Sequence, residues 1–276
     1  MADETTARLC EAAARTIRRD VLDMAYATGR TGAHLGGALS SVEILASLYL
    51  GTMRMRADDP RWEGRDRLIL SKGHAALALY PAMAAAGVIP RELLVTFKRD
   101  GSLLGGHPSL NGLPGIEFAS GSLGQGLSLG VGVCLALRRK GNDASRAFVL
   151  LGDGECDEGS VWEAAASASH FRLGSLVAVI DANAIQYDGA TSEVLDMAPL
   201  ADKWRSFGWD AVEVDGHDVR QLLDACSARP GRPLAVIART VKGKGVSFME
   251  GDRRYHNASL TRDQYERALR ELEGDA

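Results

Sequence analysis

Two oxygen-bearing side chains, Asp153 and Asn183, each lie just past the end of an apolar run. The first run, residues 147–151, has the length and composition of a buried parallel strand, and it ends at a Gly-Asp-Gly turn. The second run, residues 176–180, ends three residues before Asn183. Because an Ala-rich helical segment separates the runs, they predict a βαβ unit, and ligands of open α/β sheets lie beyond the carboxyl ends of the strands. If the two strands are neighbours, we expect both side chains to face one pocket.

The oxygens of this pair are hard ligands, which suit Mg²⁺ or Ca²⁺ and not a soft metal. Mg²⁺ usually keeps coordination positions for substrate phosphates. The glycine amides of the turn and the start of the following helix would favour a phosphate's negative charge. The residues therefore predict a metal-bridged phosphate or diphosphate. The alternative is a strand-end turn with a capping Asp and an unrelated Asn, and spacing alone does not separate the two interpretations.

An alternation of strands and helices surrounds this unit. Strands are predicted over residues 66–70, 147–151, 176–180, 209–214 and 234–239. Helices are predicted over residues 5–28, 75–86, 127–137, 159–171, 198–207 and 261–272, with another starting near Val219. The alternation indicates an α/β fold with a doubly wound, mostly parallel sheet and helices on both faces. We expect one domain over residues 1–276, closed by the short C-terminal helix.

Two glycine-rich segments connect these elements. The first is GRTGAHLGGALS, residues 29–40. At its end, Ser40 or Ser41 is expected to cap the next helix, with Glu43 close to the capping-box position. The second, residues 100–126, is dense in glycine and proline, which predicts a structured loop, and it ends in GSLGQG. That glycine pattern is a weak dinucleotide-binding signal because no convincing strand precedes it.

Other chemistry-bearing residues stand at junctions of the predicted elements. His74 follows a glycine between a predicted strand and helix, where a functional side chain is expected, although local packing is the commoner role of an isolated histidine. His107 lies in the loop 100–126. Lys242 and Lys244 alternate with glycines and either contact phosphate or are merely solvated.

Composition excludes several classes of function. The 276-residue chain has 32 basic and 36 acidic residues and a net charge of −4, which gives no electrostatic case for nucleic acid or an anionic membrane. Apolar runs stay below the ~18–20 residues of a membrane span, and charges stand where a signal peptide needs its apolar stretch. The scattered cysteines have no CxxC pair and predict reduced thiols of a cytoplasmic protein, with Cys156 incidental to function: Cys10, Cys134, Cys156 and Cys226.

Seven segments, in the same order, resemble the N-terminal, thiamine diphosphate-binding part of transketolases. They are HLGGALSSVEILASLY, DRLILSKGHAALALY, GGHPSLNGLPGIEFASGSLGQGLS, LGDGECDEGSVWEA, DANAIQYDG, VDGHD and TVKGKGVSF. The Gly-Asp-Gly turn, 28 residues and then Asn183 resemble the thiamine diphosphate fingerprint. The likeness extends over residues 25–259 and is similar in particular to the separately encoded N-terminal subunits of split transketolases. It implies the diphosphate-binding (PP-type) domain of that fold.

The resemblance implies a metal and cofactor set around the Gly-Asp-Gly turn. Asp153, Asn183 and the carbonyl of Ile185 would hold Mg²⁺, or Ca²⁺ or Mn²⁺ in its place, against the diphosphate of thiamine diphosphate. The amide of Gly154 would contact the diphosphate, and Glu155 is expected to be a further cofactor-binding residue.

The resemblance also implies catalytic histidines. Four positions match those that surround the thiazolium carbon, bind sugar hydroxyls and help to move protons: His34, His74, His107 and His256. Two of them, His74 and His256, would also approach the diphosphate. The remaining histidines, His170 and His217, are expected to be structural. His34 stands in Ala-His-Leu-Gly where the family has Gly-His-Pro-Gly, and Asn-Ala follows His256 where Gly and Pro are usual, which leaves room for a specialised acceptor sugar.

Two further pairs match family positions. The carbonyl of Gly121 and the side chain of Leu123 would contact the aminopyrimidine of the cofactor. Glu158 and Glu163 match acids that form a hydrogen-bonded bridge between the two cofactor sites of the dimer. For these glutamates a solvated surface is the alternative.

The implied activity is that of a transketolase, a transferase that passes a two-carbon ketol unit from a ketose (phosphate) to an aldose. In this family a glutamate of the pyrimidine-binding domain acts on N1′ of the cofactor, and no residue of this chain matches it. We therefore expect a chain that is inactive alone and that pairs with a C-terminal transketolase subunit in an α2β2 assembly.

Two alternatives remain at this point. One is the α-subunit of a 2-oxo acid dehydrogenase or of another C–C bond-forming thiamine diphosphate enzyme, against which the set of four histidines argues. The other is a non-catalytic regulatory subunit that keeps the fold, against which the intact Asp153 and Asn183 pair argues.

Overall fold

A five-stranded sheet lies at the centre of the computed structural model, which describes residues 3–228 and 231–274. The strands are β1 (Arg67–Leu70), β2 (Ala147–Gly152), β3 (Leu176–Ala182), β4 (Asp210–Asp215) and β5 (Leu234–Arg239). Their order is β1-β2-β3-β5-β4, and every pair of neighbours is parallel. Each strand begins and ends within two residues of its predicted bounds. The predicted α/β fold with a mostly parallel sheet is therefore confirmed.

Both faces of the sheet are covered, because alternate side chains of a strand point to opposite sides. Phe148 and Leu150 of β2 pack into one hydrophobic core, and Val149 and Leu151 pack into the other. The helices of the described residues are α1 (Glu4–Ala27), α2 (Leu35–Leu39), α3 (Val42–Ser47), α4 (Ala76–Ala85), α5 (Gly126–Arg139), α6 (Gly159–His170), α7 (Thr191–Val194), α8 (Leu200–Ser206), α9 (Val219–Ser227) and α10 (Arg262–Glu273). Among the described residues, no helix combines the length and the apolar character needed to cross a bilayer.

The pairing of β2 with β3 positions the residues at their carboxyl ends. The register runs from Ala147 opposite Leu176 to Gly152 opposite Asp181. The turn after β2 and the turn after β3 therefore leave the sheet side by side. This confirms the expectation that the two predicted strands are neighbours.

The expected serine cap of α3 is wrong. Neither hydroxyl caps the helix: Ser40 Oγ donates to Asp181 Oδ2 over 2.7 Å, and Ser41 Oγ donates to the carbonyl of Gly37 over 2.8 Å. The physical reason is that α2 runs almost directly into α3: the amides of Ser40 and Ser41 donate to carbonyls of α2, and their hydroxyls turn to the buried carboxylate of Asp181. Glu43 does not form a capping box either, because its carboxylate binds Arg18 and His217.

The C-terminal helix α10 is confirmed within a residue of its predicted bounds. Thr261 and Gln264 form a reciprocal capping box at its start. Tyr265 stacks on Tyr26 with ring centroids 4.2 Å apart, and its hydroxyl donates to Asp23 over 2.7 Å. These contacts join the end of the described chain to α1.

Candidate active site at the carboxyl end of the sheet

A cavity of about 270 Å³ opens beyond the ends of β2 and β3. It brings together eight of the residues that the sequence assigns to the site, which come from the strand ends and from three more distant segments: His74, Leu123, Asp153, Gly154, Glu155, Asn183, Ile185 and His256. Five of these eight lie in the turns after β2 and β3, and the other three arrive through the fold.

The turn after β2 presents a carboxylate held by backbone amides. Asp153 Oδ1 accepts from the N–H of Gly154 over 2.9 Å, and Oδ2 accepts from the N–H of Ala184 over 2.6 Å. Burial, and next the negative charge of Asp181, raise the pKa of Asp153 to about 6. A side chain at Gly154 would collide with Gln186, since its Cβ would lie 2.9 Å from that of Gln186. The glycine thus lets the two turns approach each other.

The turn after β3 presents two further oxygens beside Asp153. Asn183 Oδ1 accepts from the N–H of Ile185 over 3.2 Å, and the carbonyl of Ile185 accepts from Nζ of Lys242 over 2.7 Å. Ala184 between them has a φ of 63°, a left-handed conformation that is uncommon for a residue with a side chain. Such strained residues concentrate at ligand-binding sites. The predicted metal ligands are thus hard oxygens that already bind protein donors, one of them an ammonium group.

A buried ion pair beneath the pocket was not anticipated from the sequence. Lys72 forms a hydrogen-bonded ion pair with Asp181 and donates to the carbonyl of Gly37 over 2.9 Å. Burial alone would raise the pKa of Asp181, but the charge of Lys72 and several hydrogen bonds more than offset this and lower it. Asn183 Nδ2 donates to the same carboxylate over 3.1 Å, so the pair fixes a predicted ligand. The only sequence signal for this pair was position: Lys72 stands two residues after β1, and Asp181 stands at the end of β3.

The four candidate histidines form one cluster. The ring centroid of His34 lies 5.6 Å from that of His74, 5.4 Å from that of His107 and 5.5 Å from that of His256. His74 and His256 are 5.3 Å apart, and Tyr187 packs edge-on against His256. They come from the start of α2, the turn after β1, the loop 100–126 and the segment before α10.

The pKa values of all four histidines are lowered, which favours their uncharged forms near neutral pH. Burial lowers the pKa of His34 to about 4, with the neighbouring His107 and Lys98 adding to the effect. Burial and the charge of Lys242 lower the pKa of His256 to about 4 as well. The pKa of His74 falls well below its ordinary value, chiefly because of burial. Neutral imidazoles can accept a proton or donate one, which suits acid–base work on a sugar.

The two lysines of the glycine-rich segment have different environments. Lys242 is 3% exposed and lines the cavity, with Nζ 3.2 Å from Nδ1 of His256. Burial, and next the repulsion of Lys72, lower the pKa of Lys242 to about 8. Lys244 pairs instead with Glu250 at the surface, over 3.4 Å. Lys242 thus fits the interpretation in which a lysine contacts phosphate, and Lys244 fits the interpretation in which it is merely solvated.

Lys98 is a further cation beside the histidine cluster that the sequence did not single out. It has a φ of 56°, and its Nζ donates to the carbonyl of Gly32 over 2.7 Å. Its charge helps to lower the pKa of both His34 and His107. The two ends of the cluster therefore each have a lysine beside them.

The GSLGQG loop borders a second cavity of about 580 Å³. Gly121 and His107 line it, whereas Leu123 lines the smaller cavity and is 37% exposed. Glu155 supports this loop: it accepts from Ser71 and, over 2.8 Å, from the N–H of Gly124. The buried carboxylate of Glu155 thus stabilises the backbone of the GSLGQG loop beside the cavity.

The remaining predicted residues lie away from the pocket. Glu158 and Glu163 are exposed at the start and on the outer side of α6. His170 is exposed at the end of that helix, and His217 lies 3.0 Å from Glu43 behind the site. All four cysteines are buried free thiols, and burial raises the pKa of Cys156 well above its ordinary value, so the described structure agrees with unreactive, reduced thiols.

Comparisons with known proteins identify the family. A family model described as "Transketolase, thiamine diphosphate binding domain" matches residues 10–274. The chain is 43% identical over 243 residues to a 6-deoxy-6-sulfo-D-fructose transketolase subunit of Clostridium sp. (strain MSTE9), covering 87% of this chain and 88% of that protein. It is 42% identical over 242 residues to an apulose-4-phosphate transketolase subunit of Phocaeicola vulgatus, covering 87% of this chain and 85% of that protein. Both names imply a partner subunit for those enzymes.

Solved transketolases share the fold. The Campylobacter jejuni enzyme matches with a TM-score of 0.88 and 26% identity, over 96% of this chain and 43% of that one. The Pichia stipitis enzyme in complex with sedoheptulose-7-phosphate matches with a TM-score of 0.87 and 31% identity, over 96% and 41% of the two chains. This chain spans about two fifths of the length of these solved transketolases. The resemblance noted from the sequence is confirmed: the chain belongs to the transketolase family, as its thiamine diphosphate-binding domain.

Proposed function

We propose that this chain is the cofactor-binding subunit of a two-component transketolase, which transfers a two-carbon ketol unit from a ketose, or its phosphate, to an aldose. The observation that carries the proposal is the cluster of four neutral histidines beside the oxygens of Asp153, Asn183 and Ile185. A binding module without catalysis would need the oxygens and not the histidines. The whole chain would act as one domain in the cytoplasm.

The oxygen set fits Mg²⁺, with Ca²⁺ or Mn²⁺ as substitutes. Asp153 and Asn183 would supply side-chain oxygens, and Ile185 its carbonyl, next to a strained backbone at Ala184. The predicted set combines one carboxylate with an amide and a carbonyl oxygen, and the described residues contain no group of three or more His, Cys, Asp or Glu side chains that could hold a metal ion. A carbonyl oxygen has two lone pairs, so the Ile185 carbonyl could bind a divalent ion and still accept from Nζ of Lys242.

Each group of residues then has a task around the cofactor. When bound, thiamine diphosphate supplies a nucleophilic carbon and an electron sink for the ketol unit. The amide of Gly154 and the ammonium of Lys242 would bind the diphosphate, and the carbonyl of Gly121 and the side chain of Leu123 would contact the aminopyrimidine. The histidines would hydrogen-bond sugar hydroxyls and hold or release protons at their free ring nitrogens.

The partner would be a C-terminal transketolase subunit. Its pyrimidine-binding domain would supply the N1′ glutamate, in an α2β2 assembly with cofactor sites between chains. The subunit names of two relatives, whose sequences this chain covers to 88% and 85%, support this assignment. In such an assembly the exposed Glu158 and Glu163 would form an acid bridge between cofactor sites.

We propose a sugar or sugar phosphate as substrate. Two similar proteins are named for sugars with an anionic group, a sulfo group in one and a phosphate in the other. Lys98 beside His34 offers a cation on the cluster's side of the site. The departures from the family pattern beside His34 and His256 support a specialised acceptor.

Reconstitution tests the proposal. The purified chain is mixed with a candidate pyrimidine-domain subunit, thiamine diphosphate, Mg²⁺ and a ketose phosphate with an aldose acceptor, and products are followed by mass spectrometry. We expect turnover only with both chains present. Turnover by this chain alone would contradict the split site, and absence of cofactor binding in calorimetry with the partner present would favour a regulatory subunit.

A further inference from the structure

The backbone of residues 240–245 carries Lys242 into the site, and its N-terminal side is held from behind by a histidine. The N–H of Val241 donates to Nε2 of His217 over 2.9 Å. Nδ1 of His217 lies 3.0 Å from Oε2 of Glu43. Because a backbone N–H can only donate, Nε2 carries no proton, and the ring proton on Nδ1 is donated to Glu43. The contacts on both ring nitrogens thus fix one tautomer.

The C-terminal side of the same segment is held by the same carboxylate through an arginine. Nη2 of Arg18 donates to Oε1 of Glu43 over 2.6 Å, and Nε of Arg18 donates to the carbonyl of Lys244 over 3.1 Å. Arg18 and Glu43 are each 8% exposed. Burial by itself would raise the pKa of Glu43, but the hydrogen bond from His217 and the charge of Arg18 lower it, so the carboxylate is ionised.

Lys242 has little freedom to correct a shift of this backbone. A Cβ at Gly36 would lie 2.9 Å from Cγ of Lys242, so the aliphatic stem packs closely on α2. Its Nζ reaches the carbonyl of Ile185 over 2.7 Å and Nδ1 of His256 over 3.2 Å. A displacement of ~1 Å at a binding group can cost about 100-fold in function. The position of the ammonium therefore depends on the backbone on either side of it.

We propose that Arg18, Glu43 and His217 form a clasp, a set of positioning residues that fixes Lys242 beside the Ile185 carbonyl and so sets the affinity for the metal and diphosphate. The proposal rests on the proposed function for its effect on cofactor affinity. None of the three lines the cavity, so each acts through the backbone of residues 240–245 and not by contact with a ligand.

Hydrogen exchange in the free chain tests the placement without any cofactor. In His217→Phe, we expect the amide of Val241 to exchange at least about tenfold faster, because its acceptor is gone. His217→Gln can place an amide oxygen near the former Nε2 and should keep part of the protection. His170→Phe, at the exposed end of α6, is the matched histidine control and should leave residues 240–245 unchanged. Equal protection of Val241 in His217→Phe and the unaltered chain would overturn the clasp.

A double-mutant cycle tests whether the clasp acts through Lys242. Calorimetry measures thiamine diphosphate and Mg²⁺ binding by the chain with its partner, for His217→Phe, Lys242→Met and the combination. Mutating residues that support the ligands of a metal site typically lowers metal affinity by about 10–100-fold. We therefore expect roughly tenfold weaker binding in His217→Phe. Adding His217→Phe to Lys242→Met should cause no further loss of affinity. Glu43→Gln serves in the same cycle if His217→Phe does not fold.

The two measurements separate failure of the inference from failure of the function. Multiplying losses in the double variant would overturn the action through Lys242 while leaving the proposed function intact. An unaltered chain that binds no cofactor with its partner would overturn the proposed function and the clasp's effect on affinity. The exchange of Val241 would still decide whether the clasp holds the backbone.

Discussion

The metal–diphosphate hook (Asp153, Asn183 and the carbonyl of Ile185) and the histidine cluster (His34, His74, His107 and His256) adjoin each other but are built differently. The hook is made by two turns that follow paired strands, with Gly152 opposite Asp181, and backbone amides hold the oxygens of Asp153 and Asn183. The cluster is assembled from four segments that meet only in the complete fold. Local order produces the first region, and long-range packing produces the second.

The two regions also differ in electrostatics. In the hook, burial and the charge of Asp181 raise the pKa of Asp153, so a cation beside it would stabilise the ionised carboxylate. In the cluster, burial and nearby lysines lower the pKa of the rings, so that they carry no charge. We therefore expect changes in the hook to alter cofactor binding, and changes in the cluster to alter the chemical steps.

The largest expected effect follows from removing the carboxylate of the hook. Asp153→Ala should abolish detectable turnover by the reconstituted enzyme, because the divalent ion that anchors the diphosphate loses the only charged ligand in its predicted set. Calorimetry should show cofactor affinity lower by at least ~100-fold. Asp143→Ala, at an exposed position before β2, is the control and should keep most activity. If Asp153→Ala kept the cofactor affinity of the unaltered enzyme, the hook would not be the cofactor-binding region.

A change in the cluster should separate chemistry from binding. His34→Asn keeps a polar side chain but cannot exchange a proton, and general acid–base groups contribute about 100-fold or more. We expect kcat to fall by roughly 100-fold while cofactor affinity stays within about threefold of the unaltered enzyme, because His34 does not line the hook's cavity. Steady-state kinetics and calorimetry on the same preparation measure both. If His34→Asn lowered only the cofactor affinity and not kcat, the histidine cluster would serve binding, as the hook does, and the proposed division of roles would be wrong.

The difference between the regions explains what the sequence could predict. The hook follows from two apolar runs, a glycine turn and the rule that parallel strands present their ends together, so Asp153 and Asn183 were identified from the residues. The convergence of the histidines came only from the resemblance to transketolases, because no local pattern relates His34 to His256. The ion pair of Lys72 with Asp181 joins residues 109 positions apart and left no periodic signal.

The glycine-rich segment around Lys242 shows a second limit of sequence reasoning. Its two lysines have the same local pattern, and only the contacts of the segment with α1, α2 and the turn before α9 bury one and expose the other. For the same reason His217 was expected to be structural, and its fixed tautomer and its link to Val241 became visible only in the fold.

Acidification should weaken the hook before it charges the cluster. With a pKa of about 6, Asp153 is about one-tenth ionised at pH 5, and a metal ligand must be deprotonated, so Mn²⁺ affinity should fall by roughly tenfold between pH 7 and pH 5. His34 and His256, with pKa values of about 4, stay mostly neutral over that interval. Electron paramagnetic resonance measures free Mn²⁺ in the presence of cofactor, and NMR follows the rings. If NMR showed the imidazoles of His34 and His256 becoming charged above pH 6, the cluster would titrate before Asp153 and the predicted order would be wrong.

The smallest effect should come from Lys98, which acts on the cluster alone and from an exposed position where solvent screens its charge. Burial is the main cause of the lowered pKa of His34 and of His107, and the cation of Lys98 adds to it. Lys98→Met should therefore raise the pKa of both rings in an NMR titration, whereas Lys98→Arg should leave them near their original values. Neither change should move Mn²⁺ binding at the hook. If Lys98→Met weakened Mn²⁺ binding as much as it shifted the rings, the two regions would be one electrostatic unit, and their separate construction would have no separate consequence.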